Sequence, residues 1–344
     1  MTTSVTPSAS ASSRRQDGQI LINGLDSTWG PGLTDAYIAD LQAGRLTASN
    51  VTVNYIPWAD TLDALRSIAS MWQLVTRNSE RAMLITSVAD INEAKRQAKT
   101  GLILGFQSPE PIRDELALLA IFHKLGIRVC GISYQRRGYW ANGSGEPRDD
   151  GLSLVGRDAI AEMNRLRIVI DISHAADQSS ADAIELSKQP VIASHSNART
   201  VHNHFRNLPD DLLKMLARKG GVVGVGCLSS YLRKDGATAG TTFEDVLRHV
   251  DYIVKLIGVE HVGIGTDAAP QSRRLSDLQS MESRYSEFPF ASEGPMDKRY
   301  TFQHITELRS GVIDALTSHG YSNHDTELIL GGNFTRVFRE VWGS

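Results

Sequence analysis

Short apolar runs rich in β-branched residues alternate along this chain with longer stretches whose apolar residues recur at helical spacing. Eight runs read as strands, at residues 19–25, 50–56, 101–106, 127–133, 167–173, 190–195, 221–227 and 261–266. A further short run lies at 82–86. Several runs are apolar at nearly every position, as in parallel strands covered on both faces. Between them the periodicity predicts helices over 34–43, 61–77, 90–99, 112–125, 154–166, 177–187, 210–218 and 242–256, with Asp90 and Asp210 as N-caps. The C-terminal part predicts helices over 300–318, in a short piece after Ser322, and over 332–341. Strands alternating with helices indicate an α/β fold. A closed (β/α)8 TIM barrel is the expected architecture, ahead of an open doubly wound sheet. No glycine-rich phosphate loop follows the first strand, which counts against the open sheet and nucleotide binding.

Two segments fall outside this rhythm. Residues 1–18 are rich in Ser, Thr and Ala and carry Arg14 and Arg15 without an apolar stretch, so a disordered tail is expected rather than a secretory signal. Residues 268–297 contain Pro270, Pro289 and Pro295 among many charges. Loops of that length usually carry function or lack order. The expected organisation is the tail, then one barrel domain over 19–344 with this long loop and the C-terminal helices.

Composition changes the picture little. The chain has 344 residues, 41% of them hydrophobic and 22% charged, which is ordinary for a globular protein. Its 36 basic and 39 acidic side chains leave a net charge of −3, with no footprint for nucleic acid. No charge run marks a membrane surface, and no stretch approaches the roughly 18 apolar residues of a membrane span. Cys130 and Cys227 lie in separate apolar runs and read as small buried residues. That usage fits a reducing compartment, so a cytoplasmic location is expected.

Catalysis on such barrels sits where strands end and the following loops begin. The fifth run ends at His174, the sixth at His195 and the eighth at Asp267. Two imidazoles and a carboxylate at three strand ends suit a divalent metal such as zinc, which would make a bound water nucleophilic. Asp267 could also take that water's proton. A lone strand-end histidine would more simply cap its strand; three such groups together favour a site. His123, His249, His261, His304, His319 and His324 lie away from this face, and for them structural roles are expected. Arg206, on the loop after the sixth run, suits either a substrate carboxylate held bidentately or a loop-fixing salt bridge. Tyr134 could donate to an oxyanion or make an ordinary buried hydrogen bond. Trp29, Trp58 and Trp140 suit either pocket lining or packing beneath loops.

The motifs around these residues resemble the membrane (renal-type) dipeptidase family, peptidase family M19. They are Ile-Asp-Ile-Ser-His at 170–174, Ser-His-Ser-Asn-Ala-Arg at 194–199, Arg-Asn-Leu-Pro-Asp at 206–210 and Gly-Ile-Gly-Thr-Asp at 263–267. The stretches 156–166, 220–225 and 330–334 extend the similarity, which covers roughly residues 19 to 343. The resemblance implies a metal-dependent barrel of the amidohydrolase type whose typical members hydrolyse dipeptides with two zinc ions. It implies His174 and His195 as ligands of one metal, Asp267 as a metal ligand that also handles protons, and Arg206 as the holder of a substrate carboxylate.

This sequence also departs from that pattern. The typical first strand ends His-x-Asp; here Leu25 and Ser27 stand at those positions. Shifting the strand by one residue would turn Asp26 inward but would put the rest of the strand out of register. Gln107 replaces the glutamate that bridges the two metals and is at best a weak ligand. Tyr134 replaces a histidine that contacts the substrate oxyanion. The replacements cluster on one side while Arg206, Asp267 and both histidines remain. The resemblance therefore implies a metallohydrolase of a dipeptide or other small carboxylate-bearing amide with a reduced site of one zinc ion. Tyr134 would then serve the oxyanion. A decarboxylase or lyase on the same barrel and a non-catalytic binding protein stay open as alternatives, as does a homodimer.

Overall fold

The computed structural model describes residues 19–27, 33–54, 60–268, 298–302 and 304–343. The expected tail, most of the long loop after the last strand, Trp29 and Trp58 lie outside them. Among the described residues nine strands form: β1 (Ile22–Asp26), β2 (Ala48–Thr52), β3 (Ala82–Leu84), β4 (Thr100–Phe106), β5 (Ile127–Gly131), β6 (Val169–Asp171), β7 (Ile192–Ala193), β8 (Val222–Val225) and β9 (Val262–Ile264). They hydrogen-bond in the order β2-β1-β9-β8-β7-β6-β5-β4-β3, and β2 also pairs with β4. That extra pairing, five residues long from Ala48↔Gly101 to Thr52↔Gly105, closes eight parallel strands into a barrel. The short run at 82–86 does yield a strand, β3, but it is not a stave of the barrel. It lies along the first half of β4, and β5 takes the same edge of the second half.

Period-two alternation divides the strand side chains into two layers. Ile22, Ala48, Ile103, Val129, Val169, Ile192 and Val222, one from each of seven barrel strands, share a single apolar cluster with Phe334, Val337 and Phe338. Only the barrel interior lets strands from all around the ring meet in this way. Phe334 plugs its floor: a Cβ on Gly24, Gly224 or Gly263 would strike the ring. The alternate residues, such as Val51, Leu104, Ile170 and Val223, pack outward in a second cluster with Tyr37, Ile68, Phe122, Ile160 and Val250 from the surrounding helices.

The helices over Thr61–Arg77, Leu154–Leu166 and Asp210–Arg218 have the expected bounds. The caps differ from expectation. The helix over Val88–Arg96 is capped by Ser87, and Asp90 is the third helical residue, its carboxylate returning to the Ser87 N–H. This reciprocal capping box satisfies two otherwise orphaned amides. The cap of the helix over Asp210–Arg218 is Pro209, and the Asp210 carboxylate instead accepts from Thr200 and Tyr252. Among the described residues no helix is long and apolar enough to cross a membrane.

Candidate active site

Above the apolar floor the inward positions turn polar, and β6 and β7 deliver the central pair. His174 follows β6 and His195 follows β7. Their Nε2 atoms stand 2.8 Å apart, with ring centroids 4.8 Å apart. Both rings are buried. Burial, then the nearby Arg206 charge, push both pKa values well below the ordinary imidazole range. The pair is therefore neutral near pH 7, with its distal nitrogens converging. Tyr134, on the loop after β5, lies over His174 with ring centroids 4.1 Å apart.

A network beneath the pair fixes its position. The Asp171 carboxylate, at the end of β6, accepts from Ser173 Oγ (2.6 Å) and from the backbone N–H groups of Ser173 and Ser194 (3.0 Å each). Its other oxygen accepts from Ser194 Oγ. Ser194 Oγ is 2.8 Å from His195 Nδ1, and the His195 N–H donates to Ser173 Oγ at 3.1 Å. The chain backbones are close enough here that a Cβ on Gly265 would overlap the Ser194 carbonyl. These supporting residues did not stand out in the sequence. Asp171, Ser173 and Ser194 sit inside the very motifs that drew attention to the histidines, and small polar residues alone carry no distinctive signal.

Arg206 is 2% exposed. One Nη donates to the Ser173 carbonyl; the other lies 3.4 Å from both His174 Nε2 and the His195 carbonyl. The guanidinium sits 5.4 Å from the Tyr231 ring centroid. Its backbone N–H donates to His204 Nδ1 at 3.2 Å, and burial drops the His204 pKa to about 4. Among the described residues Arg206 makes no ion pair, and its Nε has no hydrogen-bond partner. Among the described residues no salt bridge of the loop-fixing kind holds it.

Asp267 follows β9 with φ 55°, a left-handed conformation that non-glycine residues seldom adopt outside special sites. Burial raises its pKa to about 6, against the lowering effects of a Ser27 hydrogen bond and of Arg206 and Arg299. Ser27 Oγ donates to the Asp267 carboxylate. Asp26 is turned away. The β1–β2 register runs Ile22↔Ala48, Asn23↔Ser49, Asp26↔Val51, one residue more on β1 than on β2. This bulge sends the Asp26 carboxylate to the Tyr37 hydroxyl (3.0 Å) and the Ser49 hydroxyl (3.5 Å). Leu25 is buried but belongs to neither apolar cluster. Gln107 follows β4, one step of alternation beyond Gly105. It is buried, and among the described residues its Nε2 has no hydrogen-bond partner.

Among the described residues no three of His, Cys, Asp and Glu stand together so as to hold a metal ion. His174, His195 and Asp267 are not grouped in that way here, and the Asp267 carboxylate accepts from Ser27 on the β1 side. The residues fit the nitrogen side of one ion, through two neutral imidazoles with facing Nε2 atoms. The positions at which the family pattern expects the remaining ligands offer weaker donors or none. Leu25 has no donor atom, the Ser27 hydroxyl is bonded to Asp267, and Gln107 is a neutral amide. The other expected roles also sort out here. Trp140 is fully buried and donates its indole N–H to the Arg113 carbonyl, so it packs beneath loops. His249 accepts from the Ala198 N–H and faces the Leu232 carbonyl, a structural role. Both cysteines are free and buried, and burial pushes the Cys227 thiol up to about 12.

The family model of the membrane dipeptidases (peptidase family M19) matches residues 37–285, well over half of the chain. The chain belongs to peptidase family M19. An amidohydrolase from Pseudomonas aeruginosa superposes with a TM-score of 0.84 at 29% identity, covering 96% of this chain and 99% of that one. A metallopeptidase from Rhodobacter sphaeroides, liganded with a phosphinate mimic of the dipeptide L-Ala-D-Ala, shares the fold. Its TM-score is 0.76 at 22% identity, over 94% of this chain and 100% of that one. The dipeptidase tcpJ of Claviceps purpurea is 28% identical over 285 residues, 82% of this chain and 61% of that protein. The chain thus spans about three fifths of the length of that relative. The Rhodobacter protein is a metallopeptidase, and the (β/α)8 barrel is the frame this chain shares with it and with the Pseudomonas amidohydrolase.

Proposed function

We propose that this M19 member hydrolyses a dipeptide or another small carboxylate-bearing amide, using one zinc ion held by His174 and His195. The observation that carries this reading is Arg206. A fully buried guanidinium without a carboxylate partner is costly, and a ligand carboxylate beside the histidine pair would satisfy it bidentately. The names of the M19 relatives, and the dipeptide mimic bound by the Rhodobacter protein, support the same substrate class.

Zinc, when bound, would polarise the scissile carbonyl and ease deprotonation of water. Arg206 anchors the substrate carboxylate and so places the amide over the histidines. Asp267, with its pKa near the working range, is ionised above about pH 6. It can take a proton at its carboxylate from the attacking water and return it to the leaving nitrogen. Tyr134, its ring tilted over that of His174, would line the side on which the carbonyl oxygen gains charge.

The test is metal content per chain by elemental analysis, paired with a panel of dipeptides and N-acyl amino acids with added zinc. One equivalent of metal, lost in the His174→Ala/His195→Ala double variant, together with release of free amine, is the expected result. A protein that takes up no metal after zinc supplementation, or that binds acids without turnover and ignores chelation, would overturn the reading in favour of a binding protein. A non-hydrolytic product from the same acids would overturn it in favour of a lyase.

A further inference from the structure

The hydrogen bonds beneath His195 have a definite direction. A carboxylate has no proton to give, so every contact to Asp171 is donated by its neighbour. Ser194 has one hydroxyl proton, and its bond to Asp171 uses it. Its oxygen, 2.8 Å from His195 Nδ1, must then be the acceptor there, and the imidazole must be the donor. A neutral imidazole protonated at Nδ1 is bare at Nε2. That bare nitrogen is the one 2.8 Å from His174 Nε2.

His174 has no such support. Its Nδ1 is buried with no hydrogen-bond partner among the described residues. One ring of the pair is therefore held from its far side, and the other, meeting the bare His195 Nε2 through its own Nε2, must be the donor in that contact. Ser173 completes the hold on His195 by binding the His195 N–H while donating to the same carboxylate.

We propose that Asp171, acting through Ser194, is a positioning residue that holds His195 as the Nδ1–H tautomer and presents its bare Nε2 to the site. Partners of this kind on the far side of a ligating imidazole set its tautomer, orientation and basicity. The tautomer follows from the fold alone. Its use in hydrolysis rests on the function proposed above.

The geometry also dictates what Asp171→Asn would do. The Asp171 oxygen that meets two backbone N–H groups must stay an oxygen. The new NH2 therefore faces Ser194, which then accepts from it and turns its own proton to His195 Nδ1. The tautomer should invert to Nε2–H.

The experiment is long-range 1H–15N NMR of the full chain carrying 15N-histidine, recorded with and without chelator. His195 is assigned by the signal missing from His195→Ala. The expected result is Nδ1–H in the wild type, inversion in Asp171→Asn, a mixture of tautomers in Ser194→Ala, and recovery of Nδ1–H in Ser194→Thr. Wild-type His195 protonated at Nε2, or Nδ1–H retained in Asp171→Asn, overturns the proposal. If Asp171→Asn does not fold, a Ser194→Ala protein that keeps pure Nδ1–H overturns it equally. The spectra need no turnover. The expected tautomers in a protein that hydrolyses nothing would sink the proposed function and leave this inference standing.

Discussion

At the scale of single residues, the proposed reaction gives Arg206 and Asp267 different roles according to the company they keep. Arg206 bonds to backbone carbonyls and no carboxylate among the described residues, so its charge is available to a ligand. A lysine there would keep the charge and lose the planar fork. Arg206→Lys should raise KM for a carboxylate-bearing substrate by roughly tenfold or more, about the loss of one charge-assisted hydrogen bond, with a smaller change in kcat. Steady-state kinetics check this, and an unchanged KM would remove Arg206 from substrate binding. In the proposed reaction Asp267 is a base only when ionised, so kcat/KM should rise with pH through about 6. The Ser27 hydrogen bond lowers that pKa. In Ser27→Ala burial acts less opposed, and the midpoint of the acidic limb should move upward. A limb that moved downward would contradict the role given to either residue.

At the scale of elements, a histidine joins two of the outer helices. The helix over Thr306–Ser318 ends at His319, whose Nδ1 lies 2.7 Å from Asp251 and whose Nε2 lies 2.9 Å from Glu244. Both acids belong to the helix over Phe243–Ile257. Tyr321 also donates to Asp251 at 2.8 Å. Glu244 first, then Asp251, raise the His319 pKa above its ordinary value. The sign follows: the charged form is favoured in the folded chain, so its stabilisation is full below about pH 6.5 and is lost as pH rises through the folded value. The acids are 53% and 41% exposed, so the effect should stay below about 1 kcal/mol. Urea denaturation across this range should show a component of the pH dependence that His319→Gln abolishes.

At the scale of the whole molecule, the barrel is a polar mouth resting on an apolar floor. Phe334, supplied by a C-terminal helix rather than by any strand, fills the floor beneath Gly24, Gly224 and Gly263. Phe334→Ala should cost about 3–5 kcal/mol, because glycine-lined strands have no side chains with which to fill the space. The urea midpoint of that variant tests this, and a loss under about 1 kcal/mol would mean that the strands collapse onto the gap.

Much of this was legible in one dimension. Short apolar, β-branched runs between helical patterns marked the eight staves, and their ends marked His174, His195 and Asp267, because a strand's exit from a parallel barrel always faces the same rim. The residues at 25, 27 and 107 marked where this chain departs from the family pattern. What the chain alone could not decide depended on register and on contacts between distant segments. The β2–β4 pairing closes the ring and leaves β3 outside it. The β1 bulge sends Asp26 to Tyr37 and leaves Ser27 facing Asp267. The capping box chose Ser87 over Asp90. The Asp171–Ser194–His195 line and the freedom of Arg206 from any carboxylate partner among the described residues appear only once β6, β7 and their loops meet. Periodicity says which way a side chain points, whereas its partner is set by every strand and helix that closes around it.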